Sequence, residues 1–157
     1  MQSATDDLHV ADLMTLDSVA VSMDASIEEA EDLIQSHRIT RLPVVDADGI
    51  LVGMISQADL LHLAMPGIQT LIPHRDGSKS VGDIMGTPPV TIDSRASLRE
   101  AAALMNDKRL HRLVVVDAHG RPIGVIAAID FLALADALAT HVERMFDAVG
   151  DATKPTE

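Results

Sequence analysis

The sequence has no cysteine, tryptophan or tyrosine, and only two aromatic residues, Phe131 and Phe146. Without cysteine there is no disulfide scaffold, no thiol nucleophile and no thiolate metal site. Two phenylalanines cannot make the ladder of rings on which single-stranded nucleic acid stacks. Positive charge is scarce as well: 12 basic residues stand against 24 acidic ones, for a net charge of −12. Polyphosphate backbones and anionic lipid surfaces repel such a chain, so neither nucleic acid nor a membrane is expected as a partner. No apolar run approaches the roughly 20 residues of a membrane-spanning helix. The polar start, Met1 to Asp7, resembles neither a signal peptide nor a transit peptide. A cytoplasmic location is expected. Hydrophobic residues nevertheless make up 47% of the 157, enough to bury a core.

What is present is an internal repeat at a constant offset of 71 residues, without gaps. Val10-Ala11-Asp12-Leu13-Met14 returns as Val81-Gly82-Asp83-Ile84-Met85, and Arg41-Leu42-Pro43-Val44-Val45-Asp46 as Arg112-Leu113-Val114-Val115-Val116-Asp117. About 21 of 52 aligned positions are identical. A fixed period marks units that bury a shared face, and two copies point to a pseudo-symmetric pair. The repeat sets the expected boundaries: an extension over 1–9, unit one over 10–65, a linker over 66–80, unit two over 81–147, and a disordered tail over 148–157. Breakers Pro66-Gly67, Pro73 and Gly77 mark the linker, with one short element expected over Ile68 to Ile72.

Each copy follows one grammar. A short strand (Val19 to Val21; Val90 to Ile92) leads to Ser26-Ile27-Glu28-Glu29 or Ser97-Leu98-Arg99-Glu100, both capping boxes that start a helix. Two β-branched runs follow around Asp48-Gly49 or His119-Gly120, which predicts a hairpin. A last helix begins near Ser56 and Ala127. Each unit therefore reads as βαββα, and the fold class is α/β (α+β), with two such units packed as a tandem pair.

Catalytic signals are missing. The seven histidines show no compact ligand spacing, which argues against a metal. No Gly-x-Ser-x-Gly turn supports Ser-His-Asp chemistry. The chain is not expected to be an enzyme.

The tandem βαββα units, Leu42-Pro43-Val44-Val45-Asp46 before the hairpin and Gly53-Met54-Ile55-Ser56-Gln57-Ala58-Asp59 after it resemble the cystathionine-β-synthase (CBS) domain family. The last segment fits that family's Gly-h-h-Ser/Thr-x-x-Asp pattern, where h is apolar. The resemblance spans Val10 to Leu138. It implies two copies packed through their sheets, with clefts that hold adenosine-type ligands. In such a cleft Gly53 would let the backbone approach a base, Ser56 would offer a helix start to oxygen atoms, and Asp59 would accept both ribose hydroxyls. Val19, Val21 and Pro43 complete the expected wall. The bland reading is that Ser56 and Asp59 only cap their helix.

The second copy departs from the pattern. Gly124-Val125-Ile126-Ala127-Ala128-Ile129-Asp130 has Ala127 where a hydroxyl belongs, and Val114 replaces the Pro. Without a hydroxyl partner, Asp130 is harder to explain as a cap, and a site there would lack one hydrogen bond. Basic residues concentrate in two equivalent windows: Arg38 and Arg41, then Lys108, Arg109 and Arg112, five of the twelve. Pseudo-symmetry is expected to draw these windows together. The resemblance implies that Thr40-Arg41 and His111-Arg112 face phosphates, with Arg as a bidentate grip. Arg38 and Arg109, at helix ends, can be explained by the helix dipole instead.

These readings converge on a ligand-sensing module that requires no cofactor. AMP, ADP or ATP is the expected ligand, ahead of S-adenosylmethionine or NAD. The apolar stretch Leu132 to Leu138, continuing toward His141 and Phe146, suggests a homodimer, and a partner protein would receive the signal. The alternative is a ligand-free structural or dimerisation module.

Overall fold

The computed structural model describes residues 8–17, 19–63 and 79–152, with side chains to 148. Its elements run α1 (Val10–Leu13), β1 (Thr15–Leu16), β2 (Val21–Ser22), α2 (Ile27–His37), β3 (Arg41–Val45), β4 (Leu51–Ser56) and α3 (Gln57–Leu63). The second copy gives α4 (Val81–Ile84), β5 (Thr91–Asp93), α5 (Leu98–Lys108), β6 (Arg112–Val116), β7 (Pro122–Ala127) and α6 (Ala128–Ala152). The mixed α/β pair expected from the repeat is present. Its first strands lie slightly later than the sequence runs suggested, and α6 continues past the boundary set at 147. The element expected over 68–72 lies outside the described residues, as do 153–157.

Local chemistry accounts for the helices. Ser26 Oγ accepts the Glu29 N–H at 3.2 Å. At α5 the box is reciprocal: Ser97 Oγ accepts the Glu100 N–H (3.1 Å), and Glu100 Oε2 accepts the Ser97 N–H (2.7 Å). Both helices stop at an arginine in the left-handed region, Arg38 and Arg109, each at φ 53°. The next residue's N–H then reaches back, Ile39 to the Ile34 carbonyl (3.1 Å) and Leu110 to that of Met105 (2.8 Å). This is a Schellman stop, with an apolar residue just past the turn.

The hairpins form as the turn residues predict. Asp46 Oδ1 accepts the N–H groups of Asp48 and Ile50, and Asp117 Oδ1 accepts those of His119 and Arg121. Gly49 and Gly120 take φ +80° and +82°, the conformation that favours glycine. The Arg121 N–H, helped by that of His119, outweighs desolvation and holds the Asp117 carboxyl below its ordinary pKa.

The strands make a three-stranded sheet, β2-β3-β4, and a four-stranded sheet, β1-β7-β6-β5. β1 belongs by sequence to the first copy, yet it pairs with β7 of the second, Thr15 against Val125. The crossing is mutual. Val10 is fully buried in the core of Leu113, Val115 and Ile126, while Val81 is fully buried in that of Leu42, Val44 and Ile55. Backbone bonds fix both segments: Val10 N–H to the Ala96 carbonyl (2.8 Å), and Val81 N–H to that of Ala25 (2.9 Å). Each packed unit thus borrows its neighbour's leading segment. The copies also meet at their hairpin turns, where Leu51 N–H donates to the Gly120 carbonyl (3.1 Å) and Arg121 Nε to that of Asp48 (3.2 Å). Among the described residues no helix is long and apolar enough to cross a membrane.

Candidate ligand site at the end of each hairpin

Hairpin register brings the first candidate site together. Arg41, at the start of β3, stands opposite Ser56, at the end of β4. The Gln57 N–H donates to the Thr40 carbonyl at 2.9 Å, tying the start of α3 to the same spot. Thr40, Arg41, Ser56 and Asp59 therefore share one end of the sheet, away from the turn at Asp46–Gly49. The second copy repeats the arrangement: Arg112 faces Ala127, and the Ala128 N–H donates to the His111 carbonyl (2.9 Å). His111, Arg112 and Asp130 are gathered there.

Strand alternation sorts the remaining residues by face. Leu42 and Val44 of β3, with Gly53 and Ile55 opposite them, lie on the buried core face, while Arg41, Pro43, Met54 and Ser56 share the other. This corrects two expectations. Val21 is 2% exposed and belongs to the core, so its side chain is not part of a ligand wall. Gly53 is also buried, and a Cβ there would lie 2.5 Å from Met85 Sδ and 2.8 Å from the Gly86 carbonyl oxygen. Gly124 has the same neighbourhood, with the Thr15 carbonyl oxygen at 2.6 Å. The motif glycines admit the leading segment of the other copy, not a base. Val19 and Pro43 remain half-buried and accessible.

Asp59 is engaged by its own helix start. Its Oδ2 accepts the Ser56 N–H (2.7 Å) and the Ser56 hydroxyl (2.8 Å), while Ser56 Oγ accepts the Asp59 N–H (3.1 Å). Oδ1 accepts no hydrogen bond among the described residues. Asp130 departs from expectation, because its Oδ2 accepts the Ala127 N–H at 2.7 Å. The backbone half of the cap survives without a hydroxyl, so capping does account for Asp130.

Arg38, Arg41, Lys108, Arg109 and Arg112 are exposed and have no ion-pair partner among the described residues. Arg38 and Arg109 form the helix stops, whereas Arg41 and Arg112 stand beside the cap carboxylates. Among the described residues no hydrogen bond or ion pair joins the two windows; the hairpin turns are what come together. A groove of about 480 Å³ opens between α5 and α6, its walls including Met105, Arg109, His111 and Phe131. Its counterpart in the first copy, beside Ile34, Gln57 and Leu60, measures about 170 Å³. The sequence reading missed this difference, although Ala102 and Ala128, in place of Glu31 and Gln57, were its trace. Among the described residues no cluster of three metal-ligating side chains occurs.

Comparison with known proteins places this geometry. Residues 10–65 and 81–136 each match the family described as CBS domain. The CBS domain-containing protein YhcV of Bacillus subtilis is 32% identical over 118 residues, covering 75% of this chain and 79% of YhcV. The chloroplastic CBS domain-containing protein CBSX1 of Arabidopsis thaliana is 30% identical over 143 residues; the chain spans 56% of its length. The crystal structure of CBSX2 in complex with AMP superposes with a TM-score of 0.66 at 33% identity, covering 83% of this chain and 98% of CBSX2.

Proposed function

Since the chain belongs to the CBS domain family as a tandem pair, we propose that it is a non-catalytic regulatory module that binds an adenine nucleotide beside Arg41, Ser56 and Asp59. The observation that carries this reading is the junction itself: an arginine with no ion-pair partner among the described residues stands opposite a serine, with a carboxylate one turn further on. Asp59 Oδ1 would accept from the ribose hydroxyls, with Ser56 Oγ beside it. Arg41 would grip phosphate, joined by the Thr40 hydroxyl. Pro43 and Val19 would supply the apolar wall. CBSX2, similar over nearly its whole length, was crystallised with AMP, and the basic windows favour AMP, ADP or ATP over S-adenosylmethionine or NAD.

The second junction, with His111, Arg112 and Asp130, lacks the hydroxyl and would bind more weakly by about 1 kcal/mol. Bound nucleotide signals only if it prefers one arrangement of the copies. We place the module in the cytoplasm, paired with a second copy and acting on a partner protein. The complete Ser56–Asp59 cap favours one other reading, a ligand-free structural module. Titration calorimetry with AMP, ADP, ATP, S-adenosylmethionine and NAD decides between them. A phosphorylated adenosyl ligand should bind the wild type and be lost in Asp59→Ala and Arg41→Ala, both folded. Silence across the panel would establish the structural module, and normal binding to Asp59→Ala would remove the site assignment.

A further inference from the structure

We propose that Met14 and Met85 are a matched pair of oxidation sites, at which a peroxide converts the thioether to a sulfoxide and unlatches the crossed leading segments. This release requires neither bound nucleotide nor the pairing of copies proposed above.

The chain has eight methionines and no cysteine, so thioethers are the only sulfur that a peroxide can meet. Two of them hold equivalent places 71 residues apart. Met14 and Met85 end the one-turn helices α1 and α4. Each donates its N–H to the buried valine of that turn, Met14 to the Val10 carbonyl (2.8 Å) and Met85 to that of Val81 (2.9 Å). The residue after each is fastened to the other copy. Thr15 pairs with Val125 of β7, and the Gly86 N–H donates to the Met54 carbonyl at 2.8 Å. Each methionine therefore sits between the valine that plugs the neighbour's core and the backbone contact that ties the segment down.

Their sulfur atoms occupy space that exists because the facing residue is glycine. A Cβ on Gly53 would stand 2.5 Å from Met85 Sδ, and one on Gly124 would stand 3.2 Å from Met14 Sδ. Met85 packs on the first core and Met14 on the second. Sulfoxidation adds a polar oxygen to a sulfur set against backbone and apolar side chains, which disrupts such packing. Both residues are half-buried, so neither is sealed from a molecule as small as hydrogen peroxide. Met105 is better shielded, at 5% exposed, whereas Met145 is 57% exposed and packs on neither core. In the step itself the peroxide O–O bond breaks, one oxygen joins sulfur, and the other leaves as water. Sulfur is oxidised by two electrons and the peroxide is reduced by them. A thiol-fed methionine sulfoxide reductase reverses the change.

The test treats the purified protein with hydrogen peroxide, locates sulfoxides by peptide mass mapping and follows the thermal midpoint. Met145 should convert first and leave the midpoint where it was. The midpoint should then fall by about 5 °C or more as Met85 and Met14 convert. Met85 should have the larger effect, since its sulfur stands closer to its glycine position. Methionine sulfoxide reductases A and B with dithiothreitol should restore the original value. The double variant Met14→Leu, Met85→Leu keeps apolar volume and retains Met23, Met54 and Met105. It should hold its midpoint under the same treatment. A wild-type midpoint that stays put with both residues oxidised overturns the proposal, as does a double variant that falls like the wild type. So does an absence of sulfoxide at both positions once Met145 is fully converted. Should the double variant not fold, partly oxidised wild type is digested briefly with a protease. The intact survivors should be depleted of sulfoxide at Met14 and Met85, and an even distribution between survivors and fragments overturns the proposal.

Discussion

The junction after β4 and the junction after β7 share one backbone pattern, but where the first has the Ser56 hydroxyl the second has the methyl of Ala127. At Ser56 the cap is complete, with hydroxyl and carboxylate each satisfying an N–H of the helix start. At Ala127 only the carboxylate half remains, at 2.7 Å, and α6 still begins at the position equivalent to α3. The helix start therefore does not need the hydroxyl. The Ser56 hydroxyl is itself engaged, donating to Asp59 Oδ2 and accepting the Asp59 N–H, so only one of its lone pairs is left for a ligand. The helical faces differ as well: the groove beside α5 and α6 holds about 480 Å³, that beside α2 and α3 about 170 Å³.

The largest effect should come from what the repeats share. Gly53→Ala and Gly124→Ala each drive a methyl into the other copy's leading segment, and each should lose about 2–3 kcal/mol in a denaturant titration. Gly124→Ala should be the worse, because its nearest obstacle is a backbone carbonyl oxygen at 2.6 Å, whereas Gly53 meets the mobile end of a methionine first. Equal losses would mean that the two crossings are equivalent. Next, Ser56→Ala should weaken the nucleotide by about 1 kcal/mol, near fivefold, in calorimetry. The reverse change, Ala127→Ser, should strengthen the second site by a similar factor. If both substitutions leave binding alone, the asymmetry of the junctions has no bearing on the ligand. Arg38→Gly and Arg109→Gly relieve a left-handed arginine and should each raise stability by about 0.5–1 kcal/mol.

The smallest effect concerns pH. The lowered folded pKa of Asp117 adds stability that is fully present above the unfolded carboxylate pKa and disappears as pH falls through the folded value. The thermal midpoint gap between wild type and Asp117→Asn should therefore be widest near neutrality and close in acid.

Much of this was legible in the sequence because its causes are local. Ser97 with Glu100 announces a helix start, and Asp46 with Gly49 announces a tight turn; once the turn is set, the register brings Arg41 to Ser56 without further information. The crossed leading segments were not legible, since packing of Val10 against a sheet more than 80 residues away leaves no periodic mark. Gly53 and Gly124 were that mark, and Gly53 was read as a ligand contact instead. Alternation with Ile55 and Ile126 already put both on the buried face. Asp130 was misjudged because its cap partner is a backbone N–H, which every residue but proline supplies.

The crossing of leading segments has a consequence for how such a molecule can be divided. A cut between residues 64 and 78 would leave two fragments, each holding the plug for the other's core and missing its own. Neither should fold in isolation, and mixing them should restore both at once. The intact chain should melt in a single step, as one interlocked body and not as two beads on a string. For a gene carrying just one such repeat, folding would require a meeting: two identical chains trading first turns. Duplication would then have made permanent, within one polypeptide, an exchange that began between molecules.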